Sequence, residues 1–383
     1  MASQPIALGS YVPAVDGLRA LAVAGVIVHH LGMFGFASDI GWAGVWLFFV
    51  ISGFVITNSV DGVAYRGQSF SRKLSIFWAR RVRRILPLYL LMIGVGTIIV
   101  LTVPGLRYQV EQLPYLLTFT YNFHRLSPDY SHTKLFGHYW SLSVEEQFYL
   151  LFPLIYFSVA GRARVAILVG VVLLAPGIRW IVGEVAGATI SPASAPLAVA
   201  MFSPGHFDAF ALGALIAIFR ERIARWRFSL PLAAASTGVL LAGYLAACVA
   251  AAADKSAGEA ILAGFQINAS GTLAQVGLYC VLNVLFATLV VGAVVGWRPL
   301  AIPLATAPMR YLGRISYGLY VVHFPLLAVL LGNGDRSVGA LEVALYLGTL
   351  LAICHLLYVY FERPIMEQRW GKWRWGRPGT AAT

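Results

Sequence analysis

Ionisable side chains are costly inside a hydrocarbon layer, so the few that interrupt the long apolar runs of this 383-residue sequence are where chemistry is to be sought. Arg19 and His30 stand in the first run. Eleven residues of helix leave a rotational remainder of about 20° and a rise of about 16 Å, so the two share a face at different depths. His29 falls roughly 80° off that face, which makes His30 the candidate general base. A later run opens His138-Tyr-Trp-Ser-Leu-Ser-Val-Glu145-Glu146-Gln-Phe-Tyr149. Adjacent carboxylates on a helix point about 100° apart, so only one of them can address a given cavity. Two ionised carboxylates at that depth would repel, and at least one is expected to be protonated or paired.

His206 and Asp208 begin a further run and His323 lies well inside another; with Tyr149 they are candidates for the acceptor side of a site, or for hydrogen bonds that order a helix bundle. Arg81 and Arg84 stand at i, i+3 on one face, and Arg314 and Arg363 close the inner ends of two late runs. That charge suits anchoring to anionic lipid, and it equally suits a phosphate-bearing cytoplasmic donor. The expected site has an arginine floor for phosphate and a ceiling of histidine and carboxylate.

These residues need helices to hold them. The sequence is 59% hydrophobic and 11% charged, with a mean hydropathy of +0.76, which excludes a soluble globular domain and implies an all-α integral membrane bundle of about ten helices. Runs near 14–34, 43–60, 85–103, 141–160, 163–182, 204–219, 230–252, 271–296, 311–331 and 339–361 supply the spans. The net charge of +12 is not clustered on a polar surface, as nucleic-acid binding would require, but sits between apolar runs. With the N-terminus inside, 21 of the 28 Lys and Arg fall in inner segments and six in outer ones, Arg179 among the six, so both ends are expected in the cytoplasm of an inner-membrane protein. The first run lacks the basic lead of a cleaved signal peptide and is expected to be retained.

Between the second and third spans, Phe70, Leu74, Phe77, Trp78, Val82 and Ile85 recur at helical spacing with basic residues on the other faces, which predicts an amphipathic helix lying flat on the inner leaflet. The long outer connection, about 104–140, mixes Tyr108, Tyr115, Tyr121, Phe123, His124, Tyr130 and His132 and could cap a cavity. Cys248, Cys280 and Cys354 lie inside apolar runs without metal or disulfide spacing, so no metal site is expected. The sequence shows no internal repeat, which counts against an inverted-repeat transporter.

At these residues the chain resembles the membrane acyltransferase 3 family, multi-pass bacterial proteins that O-acylate carbohydrates and related hydroxylated acceptors. The resemblance runs from Val12 to about Ile365. It is carried by Val12-Pro-Ala-Val-Asp-Gly-Leu-Arg19 leading to His30, which fits the family's Arg-x10-His pattern, and by Gly44-Val-Trp-Leu-Phe-Phe-Val-Ile-Ser-Gly53-Phe-Val-Ile-Thr57. Arg81-Val-Arg-Arg84-Ile-Leu-Pro87-Leu-Tyr89, Trp140 to Tyr149, Leu312-Gly-Arg314-Ile-Ser316-Tyr317-Gly-Leu-Tyr320-Val-Val-His323 and Glu362-Arg363-Pro364 follow in order. Two positions depart from the pattern: Trp46 stands where relatives are often acidic, and His206 where an arginine is expected before Phe207-Asp208.

The resemblance implies a single membrane acyltransferase domain over 1–383, with a core of about 12–365 and a short basic cytoplasmic tail over 366–383. No appended soluble domain is expected, so acceptor delivery would fall to the membrane domain or to a separate protein. It further implies acyl-coenzyme A, most simply acetyl-coenzyme A, as donor substrate, with no bound cofactor. Arg81, Arg84 and Arg314 would hold the donor phosphates, and His30, oriented by Glu145 or Glu146 and aligned with Arg19, would take the proton of the attacking hydroxyl. A cell-surface or exopolysaccharide sugar is the expected acceptor, with a small hydroxylated metabolite such as a macrolide as the alternative. From another class, intramembrane Arg, His and Glu would also serve a proton-coupled secondary transporter. Partners are thus the donor, a hydroxylated acceptor and membrane lipid, and no nucleic acid.

Overall fold

A computed structural model describes residues 11–60, 62–103, 105–127, 129–131, 133, 135–252, 255–266, 272–332 and 338–367. His132 and the tail beyond Glu367 lie outside the described residues. Ten long helices carry the chain, and no strand occurs among the described residues. They are α1 (Pro13–Leu31), α2 (Gly44–Val60), α3 (Phe70–Thr102), α4 (Trp140–Ser158), α5 (Gly161–Thr189), α6 (Phe207–Arg225), α7 (Ser229–Ala251), α8 (Thr272–Val295), α9 (Ala307–Leu331) and α10 (Ala340–Leu357). Eight helices among the described residues are long and apolar enough to cross a membrane, and Ala195–Met201 with Ser203–Arg225, bent by 74° at Phe202, makes a ninth. The remaining long helix, α4, whose 19 residues include Glu145 and Glu146, is less apolar than these spans. The chain is a multi-pass membrane protein.

Large apolar side chains face outward on the peripheral helices: Leu173 and Leu174 on α5, Val239 on α7 and Leu341 on α10 are each about two-thirds exposed or more. That is the lipid-facing surface a bilayer requires. At the centre stands α2, which is packed on nearly all sides. It crosses α6 at backbone contact, where a Cβ on Gly53 would lie 1.9 Å from the Phe210 carbonyl oxygen and one on Gly213 would lie 2.0 Å from that of Val50. Without water to drive helices together, such small-residue contacts are how membrane helices associate. α1 and α9 approach in the same way, since a Cβ on Gly313 would lie 1.9 Å from the Asp16 carbonyl oxygen. This contact delivers Arg19, whose Nε donates to the Gly313 carbonyl at 3.2 Å.

Two expectations are corrected. The amphipathic stretch is not a separate helix lying flat but the first half of α3, one 33-residue helix N-capped by Ser69 and running through Pro87. Its apolar stripe packs on the bundle, with Phe77 buried against Phe152 of α4, and Arg81 and Arg84 turn into the protein. Arg179 does not lie in an outer connection. It is inside α5, 1% exposed, and paired with Asp208 of α6 at 2.8 Å.

Candidate active site

A cleft of about 600 Å³ opens among α1, α2, α3, α4 and α9. Arg19 enters it from α1, Ser52 from α2, Arg81 and Arg84 from α3, Glu145 and Tyr149 from α4, and Ser316, Tyr317 and Tyr320 from α9. Helical periodicity explains the company: 81/84, 145/149 and 316/317/320 are one turn apart on inward faces. Arg84 pairs with Glu362 at 3.5 Å and donates to the Arg314 carbonyl at 3.1 Å. Arg81 lies 5.4 Å from the Tyr149 ring centre and 5.8 Å from that of Phe77, and its buried Nε has no hydrogen-bond partner. Glu145 accepts from Ser52 at 2.5 Å and from the Tyr149 hydroxyl. Three guanidinium groups, of Arg19, Arg81 and Arg84, therefore line the cleft with one carboxylate, that of Glu145, while Glu362 meets Arg84 from outside the lining. The buried Ser316 hydroxyl has no partner and adds an open hydrogen-bonding position.

His30 is not in this cleft. It lies further along α1 in a histidine cluster, its ring centre 5.0 Å from that of His323 and 4.3 Å from that of Phe324. His138 stands 4.9 Å from His323 on the far side. The boundary between cleft and cluster is polar: the Tyr320 hydroxyl lies 2.5 Å from the Ser141 hydroxyl and donates to the His138 carbonyl at 2.9 Å.

The carbonyls around the cluster fix the neutral tautomers, because a carbonyl oxygen can only accept. His323 Nδ1 lies 2.6 Å from the Tyr320 carbonyl and so carries its hydrogen, which leaves Nε2 as an acceptor. His30 Nδ1 lies 2.9 Å from the Val26 carbonyl and 3.2 Å from His323 Nε2, so it donates to both. The lone pair of His30 is thereby left on Nε2, the atom a general base needs. His29 Nδ1 is tied to the Ser38 carbonyl at 2.6 Å.

Of the anticipated residues, the structure gathers Arg19, Arg81, Arg84, Glu145 and Tyr149 in the cleft and His30 with His323 in the cluster. Glu145 does not reach His30; the orienting contacts of His30 are Val26 and His323. Glu146 does not line the cleft, and its Oε1 is buried without a hydrogen-bond partner. The Arg314 side chain is exposed and meets the site through its carbonyl alone. Tyr149, expected on the acceptor side, lines the arginine cleft.

His206 and Asp208 join a third cluster, away from both. His206 accepts from Trp46 Nε1 at 3.2 Å and donates to the Val199 carbonyl at 2.9 Å, so the two departures from the family pattern are hydrogen-bonded to each other. Sequence reasoning assigned no role to Ser52, Ser141, Tyr317, Tyr320 or Glu362, although all five fall inside the motifs quoted. Among the described residues no group of three or more His, Cys, Asp or Glu could hold a metal.

The sequence profile of a family described as an acyltransferase domain matches residues 12–359. Among curated proteins, the chain is 29% identical over 380 residues to "Putative peptidoglycan O-acetyltransferase YrhL" of Bacillus subtilis, covering 94% of this chain and 55% of that protein. It is 39% identical over 152 residues to the O-acetyltransferase OatA of Staphylococcus aureus, covering 38% of this chain and 24% of that one. The chain thus spans about half the length of the first relative and a quarter of the second. No solved structure matches it.

Proposed function

Since the chain belongs to the acyltransferase domain family, we propose that it is a membrane O-acyltransferase that takes an acyl group, most simply acetyl, from acyl-coenzyme A held in the arginine cleft and transfers it to a cell-wall sugar hydroxyl at His30. The observation that carries this reading is the division of the ionisable side chains between two places along one helix, an arginine-lined cleft at Arg19 and a base with a free lone pair at His30. Both relatives' names support the acetyl group, and that of the Bacillus protein supports a peptidoglycan acceptor.

In this reading Arg81 and Arg84 hold donor phosphates in charge-assisted hydrogen bonds. The pantetheine arm extends along α1 past Arg19, a distance of about 16 Å to His30, and reaches the cluster once the Ser141–Tyr320 contact parts. The acceptor hydroxyl attacks the thioester carbonyl as His30 Nε2 takes its proton. The tetrahedral intermediate then expels the thiolate, which receives that proton from His30, giving the sugar ester and free coenzyme A. The Arg84 end of the bundle faces the cytoplasm, where acyl-coenzyme A is made, and both termini lie on that side of the inner membrane. A separate protein that delivers the acceptor would dock on the His30 end.

Detergent-purified protein is expected to transfer acetyl from acetyl-coenzyme A to a cell-wall glycan with no membrane gradient, an activity a transporter lacks. Arg81→Lys and Arg84→Lys should each weaken coenzyme A binding by about tenfold, the equivalent of one charge-assisted hydrogen bond, because lysine keeps the charge but loses the planar fork. Neutralising Arg72 and Lys73, two turns nearer the start of α3, should leave that affinity unchanged. Isothermal titration of coenzyme A into the variants reads both; equal affinity in a protein lacking both Arg81 and Arg84 charges would remove the donor from the cleft.

A further inference from the structure

A second opening lies apart from the arginine cleft, a groove of about 510 Å³ among α4, α5 and α6. Phe148, Phe152 and Tyr156 form its floor, buried and one turn apart along α4. Leu151, Ile155 and Ile167, all exposed, form its rims. These rims belong to the same outward surface as Leu173 and Leu174, so the groove opens to hydrocarbon. Phe207 of α6 marks its deep end, with a ring centre 5.5 Å from that of Phe148. From Tyr156 to Phe148 the helix rises about 12 Å, close to the depth of one leaflet of a ~30 Å hydrocarbon core.

Arg164 is the one charged side chain of the lining among the described residues, and it stands at the mouth, where α4 gives way to α5. Its Nε and Nη2 donate to the Val159 carbonyl at 3.1 and 2.9 Å, and its guanidinium carbon lies 3.8 Å from the Tyr156 ring centre. These contacts fix the guanidinium and leave three of its five N–H groups without an acceptor among the described residues. Lys73 of α3 adds a second cation, 5.9 Å from the ring centre of Phe157, the next residue on α4. No carboxylate among the described residues pairs with either cation. Hydrocarbon fills any apolar groove in a bilayer, but a fixed and unneutralised guanidinium at the mouth selects a chain that ends in an anion.

We propose that this groove is a binding site for one anionic phospholipid, with an acyl chain laid over Phe148, Phe152 and Tyr156 and its phosphate on Arg164. The length fits that occupant, since a phospholipid chain spans one leaflet, as the groove does. The site stands independently of the donor and acceptor assignments. It reaches the cleft through packing: Phe148 stacks on Phe210 with ring centres 4.2 Å apart, Phe210 stacks on Phe49 at 4.7 Å, and Phe49 lines the cleft. A chain seated in the groove therefore braces α4, the helix that carries Glu145 and Tyr149.

The test uses the full chain, stripped of lipid in a neutral detergent, and two probes with the same acyl chains: phosphatidylglycerol, and diacylglycerol, which lacks the phosphate. Native mass spectrometry reads the affinity of the first lipid bound, and thermal melting reads its effect on stability. Wild-type protein is expected to bind one phosphatidylglycerol about ten- to hundredfold more tightly than diacylglycerol, the fold-change that a hydrogen bond to a charged group carries, and to melt at higher temperature with it. Arg164→Gln should remove that preference by weakening phosphatidylglycerol alone, and Arg164→Lys should keep part of it. Ile155→Trp, which fills the groove from its lipid-facing rim, should weaken both probes. Melting of each variant in lipid-free detergent shows that it is folded, and Arg164→Lys carries the comparison if Arg164→Gln is not. Equal affinity of the wild-type protein for the two probes, a preference that survives loss of the guanidinium, or phosphatidylglycerol binding untouched by Ile155→Trp would overturn the proposal; the last result would place the lipid on surface charge alone.

Discussion

Replacing His30 with alanine is expected to lower the rate of acyl transfer by about 10²–10⁴-fold, the range a positioned general base contributes, while leaving coenzyme A affinity unchanged. The separation follows from the proposed compartments: the donor's charged groups would be held around Arg19, Arg81 and Arg84 in a cleft that His30 does not line. His29→Ala should retain most of the activity, because that ring is committed to the Ser38 carbonyl. His323→Ala should fall between them, since it removes the acceptor at 3.2 Å that orients the His30 ring but leaves the Val26 carbonyl to hold the tautomer. Turnover measured at saturating donor checks all three. A larger loss in His29→Ala than in His30→Ala would reverse the assignment, and a loss below about tenfold in His30→Ala would reduce the residue to packing.

The second large effect concerns stability. Arg179→Met leaves Asp208 buried in the bundle without its cation, a change that typically costs about 3–5 kcal/mol. Asp208 keeps the hydrogen bond from the Ala209 backbone at 2.9 Å but loses its cation, and the Gly205 carbonyl loses the arginine too. The variant is expected to unfold at clearly lower temperature in detergent, whereas Arg179→Met combined with Asp208→Asn should recover a large part of the loss, because removing both charges also removes the unpaired one. A thermal midpoint unmoved by Arg179→Met would show that the pair carries no net stability. Any activity change in the double variant would come through Trp46 and Phe49, which link this cluster to the cleft wall.

Hydropathy made the ten helices legible, since a span must be long and apolar wherever it lies in the bundle. Helical geometry also placed Arg19 and His30 on one inward face, and it allowed only one of Glu145 and Glu146 into a cavity. Depth was harder to read. The same 11 residues that align Arg19 with His30 carry the second past the Ser141–Tyr320 boundary, and the carboxylate expected beside the histidine lies with the arginines. In α3 the basic stripe resembled an interfacial helix because periodicity reports which face is polar, not whether that face meets headgroups or a cleft. Arg179 was assigned to an outer connection because its partner, Asp208, is 29 positions away on another helix, and a long-range pair leaves no local pattern. The same holds for Trp46 and His206, two unconnected oddities in sequence that form one hydrogen bond in the fold.

The central claim, a donor cleft on one side and a base on the other, is tested most directly by sidedness in proteoliposomes. In a variant lacking Cys248, Cys280 and Cys354, a cysteine at Ser69, beside the Arg84 end, reports which way the protein is inserted. Radiolabelled acetyl-coenzyme A is then supplied only on the face where position 69 is labelled, and the glycan only on the opposite face. Acetyl ester should form on the glycan across the membrane, and it should vanish in His30→Ala. Transfer that occurs only when donor and glycan share a face would contradict the two-compartment arrangement.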